Sequence, residues 1–319
     1  MKLAVRSIVS FVLSLALSGC RPCCEKLEPS ITCPLPAYKI SSMPSAFHSA
    51  SEEEKSEPWA QELLIGNAFA KECDFYRAIT SYKRALILLP PFNLERRLQI
   101  EYDICLSYYL GGKYQDAINV FEGGPLSEAQ PGTLPAFNNL AILLYDSYLQ
   151  LGQEDKAQCL LEIINKFSTE TAEELTLYQS FKAGEIEQTE ILLSQSKNPF
   201  EMEKDFAFYR QFAKSPRKAK ILNALLPGAG YYYVGQKKSA LTSFIINSLF
   251  IAAAYQFFHK GYPAAGAITA SLEAGWYIGG INGAGIEARE FNTRLFEGVG
   301  KKILHTNSCF PVLMFETSF

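Results

Sequence analysis

The residues able to do chemistry are few and scattered. Histidine stands only at positions 48, 259 and 305. None of the three is embedded in a pattern that would set it beside a nucleophile, so no base and nucleophile pair emerges. Cysteine stands at 20, 23, 24, 33, 73, 105, 159 and 309. Cys20, Cys23, Cys24 and Cys33 cluster near the start, where an exported chain forms disulfides. The spacing CRPCC, one distant cysteine and no nearby histidine do not suit tetrahedral zinc. Cys73, Cys105 and Cys159 fall in or beside helical patterns and read as small buried residues. The stretch Gly230 to Ser239, GYYYVGQKKS, invites comparison with a phosphate loop. That loop needs lysine directly after its second glycine; here Gln236 intervenes and three tyrosines would crowd an anion. Glu273 is an ionisable group inside an apolar stretch, either a buried structural carboxylate or a proton relay. No catalytic residue, metal ligand or cofactor site is assigned, and a non-enzymatic chain is expected.

What remains is architecture. A chain of 319 residues suggests two or three modules. With 48% apolar and 20% charged residues it is too apolar for disorder throughout and too polar for a polytopic transporter. A formal charge of −3 argues against a general nucleic-acid binder.

Met1 to Gly19 reads as a secretory signal, with Lys2 and Arg6 at its start and an apolar run from Ser7 to Leu17. At about 1.5 Å per residue that run is too short to cross a bilayer. The sequence Leu17-Ser18-Gly19-Cys20 resembles the bacterial lipobox. The resemblance implies that Met1 to Gly19 is removed and Cys20 is acylated. Buried methylenes at about 0.8 kcal/mol each make several acyl chains a firm anchor. Residues 20–57 carry prolines, serines and the run Glu52-Glu53-Glu54 without sustained periodicity, and read as a flexible tether.

Residues 58–195 read as helical hairpins. In LIGNAFAKECDFYRAITSYKRALILLP, apolar and small residues recur three and four apart, with a break near Glu72 to Phe75 and a stop at Pro90. Gly66, Ala78 and Ala85 let two helices approach, and Phe69 and Tyr82 fill the groove. The pattern resembles a tetratricopeptide repeat. Ala78, Ala117 and Ala157 align at spacings of 39 and 40, longer than the usual period of about 34. Tyr145 and Thr189 stand where small residues are expected, and a fourth pair near Glu173 to Ser194 reads as a cap. The resemblance puts Asn67, Lys71, Tyr102, Leu106, Tyr109, Asn139, Asp146 and Gln150 on the concave face. Their mixture suits a peptide from an envelope protein partner; equally, Tyr102 and Tyr109 simply pack against neighbouring helices.

Residues 196–221 place Met202, Phe206, Tyr209 and Phe212 in a stripe beside Arg210, Lys214, Arg217, Lys218 and Lys220. Such a helix either lies on a bilayer or caps the repeats. Residues 222–288 read as a membrane-associated helical hairpin. Ser239 to Phe258 is long enough to span about 30 Å. In a second helix from Ala264 to Ala288, Gly275, Gly279 and Gly283 recur four apart, as in close packing within lipid. Pro227, Gly228, Gly230, Tyr233 and Gly235 resemble the opening of short bacterial two-transmembrane domains. Residues 289–319 are a tail; its NSCFPVLMFETSF ending is like an outer-membrane strand signal but too short to weigh.

Topology carries a conflict. A lipidated Cys20 places the repeats outside the cytoplasm, whereas Lys218, Lys220, Lys237 and Lys238 favour the inside by the positive-inside tendency. The expectation is an all-α, tetratricopeptide-like solenoid followed by a hydrophobic helical hairpin, acting as an envelope lipoprotein that scaffolds partners at a membrane. The alternative is an accessory of a membrane transport or remodelling complex acting through the Gly-rich hairpin and Glu273.

Overall fold

The computed structural model describes residues 27–196 and 199–319. Among them the chain is all-α, a succession of packed helices with no named strand. The signal sequence, Cys20, Cys23 and Cys24 lie outside the described residues. The described residues divide into a repeat unit (31–180, 191–196, 301–319) and a hairpin unit (27–30, 181–190, 199–300).

The repeat unit begins where a tether is expected, and its chain is ordered. It carries α1 (Ala37–Ser42) and α2 (Glu52–Lys55), with Ile31, Ile40 and Phe47 buried. The acidic run is the start of α2: Ser51 Oγ accepts from Glu54 N–H while the Glu54 carboxylate accepts from Ser51 N–H. Glu54 also takes two guanidinium bonds from Arg96, at 2.8 and 2.9 Å, which hold its carboxyl down at about 2.

The repeats follow as helix pairs: α3 (Pro58–Lys71) with α4 (Phe75–Leu88), α5 (Leu94–Leu110) with α6 (Tyr114–Gly123), and α7 (Phe137–Gln150) with α8 (Glu154–Phe167); α9 (Thr169–Ala183) and α10 (Ile186–Gln195) come next in the chain. Each turn reuses one device. A residue at positive φ follows the first helix: Cys73, Gly112, Gly152 and Gly184, at φ 60, 70, 70 and 70°. In the first three turns the next N–H bonds a carbonyl five residues back, Asp74 to Phe69, Lys113 to Tyr108 and Gln153 to Tyr148. This is the Schellman closure, which satisfies carbonyls that the helix leaves unpaired. The left-handed conformation suits glycine; the first pair holds Cys73 there instead.

Packing within the pairs follows the small residues. Ala78, Ala117 and Ala157 are buried, and a Cβ on Gly66 would sit 2.5 Å from the Tyr82 ring. Tyr145 occupies its position without loss of burial, its hydroxyl donating to Gln179 Oε1 at 3.0 Å. Of the helical cysteines, Cys105 is buried, Cys73 half-buried and Cys159 exposed, the last against expectation. Cys33 is a free thiol.

In the hairpin unit, α11 (Pro199–Phe212) sends Met202, Phe206 and Tyr209 inward. Phe206 and Tyr209 meet Phe181 and Phe296 with ring centroids 5.3–6.1 Å apart. These rings therefore seal a protein core and are not free to enter lipid. α12 (Pro216–Leu225), α13 (Ala229–Val234), α14 (Lys237–His259) and α15 (Pro263–Thr306) complete the unit; residues 301–306 of α15 belong to the repeat unit. α15 runs 18 residues past the expected end at Ala288, so most of the expected tail is helix.

Candidate functional site

The concave face of the repeats is built by α5 and α7, first helices of successive pairs. Their inward residues form a ladder of rings and amides. Tyr109 Oη donates to Asp146 Oδ2 at 2.8 Å, and Tyr178 Oη donates to Asp146 Oδ1 at 3.2 Å. Gln150 Nε2 donates to the same Oδ1 at 3.0 Å. Burial and the Asp146 charge both push the Tyr109 and Tyr178 hydroxyls far above their ordinary range, so they remain donors.

This face is already filled by the chain itself. Residues 309–319 leave helix α15 through the exposed Ser308 (φ 57°) and enter the groove, passing a short 3₁₀ turn at Pro311–Leu313. Phe310 meets Tyr178 at 5.9 Å, Phe315 meets Tyr109 at 5.8 Å, and Phe319 stacks on Tyr82 at 6.3 Å with Phe75 at 6.4 Å. Asn139 holds the main chain. Its Nδ2 donates to Thr317 O and Thr317 Oγ1, both at 2.8 Å, and its Oδ1 accepts a long 3.5 Å bond from Glu316 N–H. An asparagine amide carries the donor and acceptor of a peptide group, so it pairs with backbone in place of a neighbouring strand.

From the other side, residues 31–48 close over the segment. Ser318 N–H donates to Pro44 O at 2.8 Å, the Lys39 ammonium donates to Leu313 O, and Phe47 lies 5.7 Å from Tyr102. A cavity of about 250 Å³ stays open beside Phe310, bounded by Cys33, Tyr109, Tyr114, Asp146, Gln150 and Tyr178.

Of the eight residues expected on this face, Tyr102, Leu106, Tyr109, Asn139 and Asp146 are buried on α5 and α7. Tyr109 and Asn139 touch the inserted segment, and Gln150 is exposed at the cavity. Asn67 is spent on the first pair, accepting from Tyr82 Oη at 2.8 Å, and Lys71 is solvent-exposed. Phe75 and Tyr178 are groove residues that the spacing did not single out, and Tyr82, expected between the helices of the first pair, also meets the inserted segment. Tyr178 lies in the degenerate fourth pair, where its place in the ladder had no clear register.

In the hairpin unit the Pro-Gly-x-Gly opening is explained by close approach. Asn223 Oδ1 accepts from Gly228 N–H at 2.9 Å and from Gly230 N–H at 3.3 Å, and a Cβ on Gly230 would collide with Ala219, Asn223 and Ala284. Gly228 and Gly235 adopt φ 88 and 94°. Pro227 lines an apolar groove of about 790 Å³ with Leu222, Leu226, Tyr232, Leu241 and Phe244. Tyr233 lies under Lys214 and Lys218, 5.2 and 5.9 Å from ring to nitrogen. Of the three glycines spaced four apart in the second helix, Gly283 makes a close contact, against the Tyr231 hydroxyl, while Gly275 and Gly279 border open space. Glu273 is 7% exposed and both its oxygens lack a hydrogen-bond partner, as does Asn247 Oδ1 on α14.

No known protein family matches the chain, and no solved structure matches it. A 61-residue stretch, 19% of the chain, is 33% identical to human intraflagellar transport protein 88 homolog. The chain covers 7% of that relative's length. With the all-α fold, this supports a helical-repeat scaffold suited to protein–protein interaction.

Among the described residues, α14 is one helix long and apolar enough to cross a membrane: 23 residues, mean hydropathy 1.5, mostly unburied. The second expected span is diluted by glycine and polar residues and does not reach that threshold.

Proposed function

We propose that this chain is a non-enzymatic cell-envelope lipoprotein whose tetratricopeptide-type repeats hold protein segments close to a membrane. The observation that carries the scaffold reading is the groove itself, which grips a non-helical segment by ring contacts and an asparagine amide. That is the chemistry of peptide recognition, with backbone bonds giving affinity and ring pockets giving selectivity. The membrane reading is supported by the lipobox-like Leu17-Ser18-Gly19-Cys20, by the exposed apolar surface of α14, and by the apolar groove beside the lysine-capped Tyr233.

Lipidation is tested by radiolabelled palmitate incorporation in cells, comparing the native chain with Cys20→Ala. Label in the native chain and none in the variant is expected. An unlabelled native chain that stays soluble after detergent-free lysis refutes the anchor and, with it, the placement of the repeats outside the cytoplasm.

A second reading is favoured by one observation, the buried and unpartnered carboxylate of Glu273 beside a span. In it, the hairpin serves a transport or remodelling complex and the repeats recruit that complex. Glu273→Gln separates the two: a scaffold tolerates the change, whereas a proton-handling hairpin loses its activity.

A further inference from the structure

The groove is occupied, yet its occupant is attached like a ligand. Residues 309–319 join the rest of the fold through the exposed Ser308, which follows the half-buried Asn307 and sits at φ 57°. Past the 3₁₀ turn the segment has no helix of its own. Its hold comes from three rings, at 310, 315 and 319, each set against a ring of the repeats. Asn139 adds backbone bonds that any peptide could make at that place, since the acceptor is a main-chain carbonyl. The segment also leaves the groove part-filled, with the 250 Å³ cavity open at the Phe310 end. A helix packed as core would instead interdigitate along its length and leave few voids.

We propose that the concave groove is a receptor for an extended peptide bearing aromatic residues at the spacing of Phe310, Phe315 and Phe319, and that residues 309–319 are its exchangeable resident. The inference rests on the scaffold reading and names both the partner class and the condition for its access. A partner peptide displaces the resident segment and slides under the strap of residues 31–48. The strap adds two further backbone bonds, to Ser318 and Leu313, that a displacing peptide inherits because they too are made to main chain. Rings set selectivity: a peptide without aromatic side chains keeps the backbone bonds but loses the contacts to Tyr82, Tyr109 and Tyr178.

The test uses the full chain with a specific protease site inserted between Asn307 and Ser308, cut after folding. A fluorescein-labelled synthetic peptide of residues 307–319 is then added and anisotropy followed. The cut protein is expected to keep its far-UV helicity and to take up the labelled peptide at least tenfold more strongly than the uncut protein. A competitor peptide with all three phenylalanines replaced by alanine is expected to be at least tenfold weaker than the native peptide. As a second route, uncut Phe315→Ala/Phe319→Ala protein is expected to bind the labelled peptide.

Loss of helicity on cutting overturns the proposal, because the segment is then part of the core. Retained helicity without uptake by either the cut or the doubly substituted protein also overturns it. Peptide exchange accompanied by no envelope protein captured on the opened groove removes the scaffold reading and leaves the receptor standing. Equal capture of a partner by uncut and cut protein places the scaffold surface elsewhere and overturns the reading of the groove as that surface.

Discussion

Asn139→Ala is the sharpest perturbation of the groove. The substitution removes two 2.8 Å hydrogen bonds to Thr317, the longer one from Glu316 N–H and a 3.4 Å bond to the Tyr102 hydroxyl. Each ordinary bond contributes about 1 kcal/mol net. Thr317 is half-buried, so water can reach its oxygens once the amide is gone and the desolvation penalty is not incurred in full. The loss is therefore about 2 kcal/mol, or roughly thirtyfold in the docking equilibrium of the segment. Amide hydrogen exchange reads this directly. Exchange at Ser318 and Phe319 is expected to quicken by roughly thirtyfold, while amides in the middle of α5 change far less, because local opening precedes global unfolding. Thr317→Val removes one of the two short bonds and is expected to show about half the free-energy loss. The reasoning fails if Asn139→Ala quickens Ser318 and Phe319 less than threefold, or if every amide of the repeat unit quickens equally.

Cys73→Gly is expected to stabilise the repeat unit by about 1 kcal/mol, since Cys73 holds a left-handed conformation that costs an L-residue roughly 1–2 kcal/mol; thermal unfolding measures it, and a lowered midpoint refutes it. Stability is also expected to depend on pH from both sides. The Arg96-held Glu54 carboxyl is depressed to about 2, so its contribution is present above the usual carboxylate range and lost as pH falls from about 4.5 toward 2. Asp103 behaves oppositely: fully buried with neither oxygen hydrogen-bonded, its carboxyl is pushed well above its ordinary value. Its contribution is present at low pH and lost as pH rises through that raised value. Urea midpoints across pH are expected to show Glu54→Gln flattening the acid limb and Asp103→Asn flattening the rise-side loss; unchanged limbs refute the assignments.

The helix pairs were legible because their cause is local. Gly66, Ala78, Ala117 and Ala157 mark close helix contacts, and the turn glycines 112, 152 and 184 mark where helices stop. Order in residues 27–57 was partly legible and overlooked. Ser51-Glu52-Glu53-Glu54 is a capping box, a helix start rather than a solvated acidic run. The ordering of Ile31, Ile40 and Phe47 was not legible, because it depends on partners far along the chain. The groove residues were legible as a face but not as an occupied one. Phe310, Phe315 and Phe319 fit neither helical nor alternating spacing, so nothing in the segment alone pointed to Tyr82, Tyr109 and Tyr178. In the hairpin, a four-residue glycine repeat suggested a contact stripe, but the contact falls at Gly283 while Gly275 and Gly279 stay open.

The pairing of Ser45 with Ser318 joins positions almost as far apart in sequence as the described chain allows. During synthesis the repeats emerge long before residues 309–319, so for that interval Tyr82, Tyr109 and Tyr178 lack the phenylalanine rings that later cover them. The newborn protein thus passes through a stage with its binding surface bare, in which a foreign polypeptide can dock without first having to dislodge the chain's own last residues.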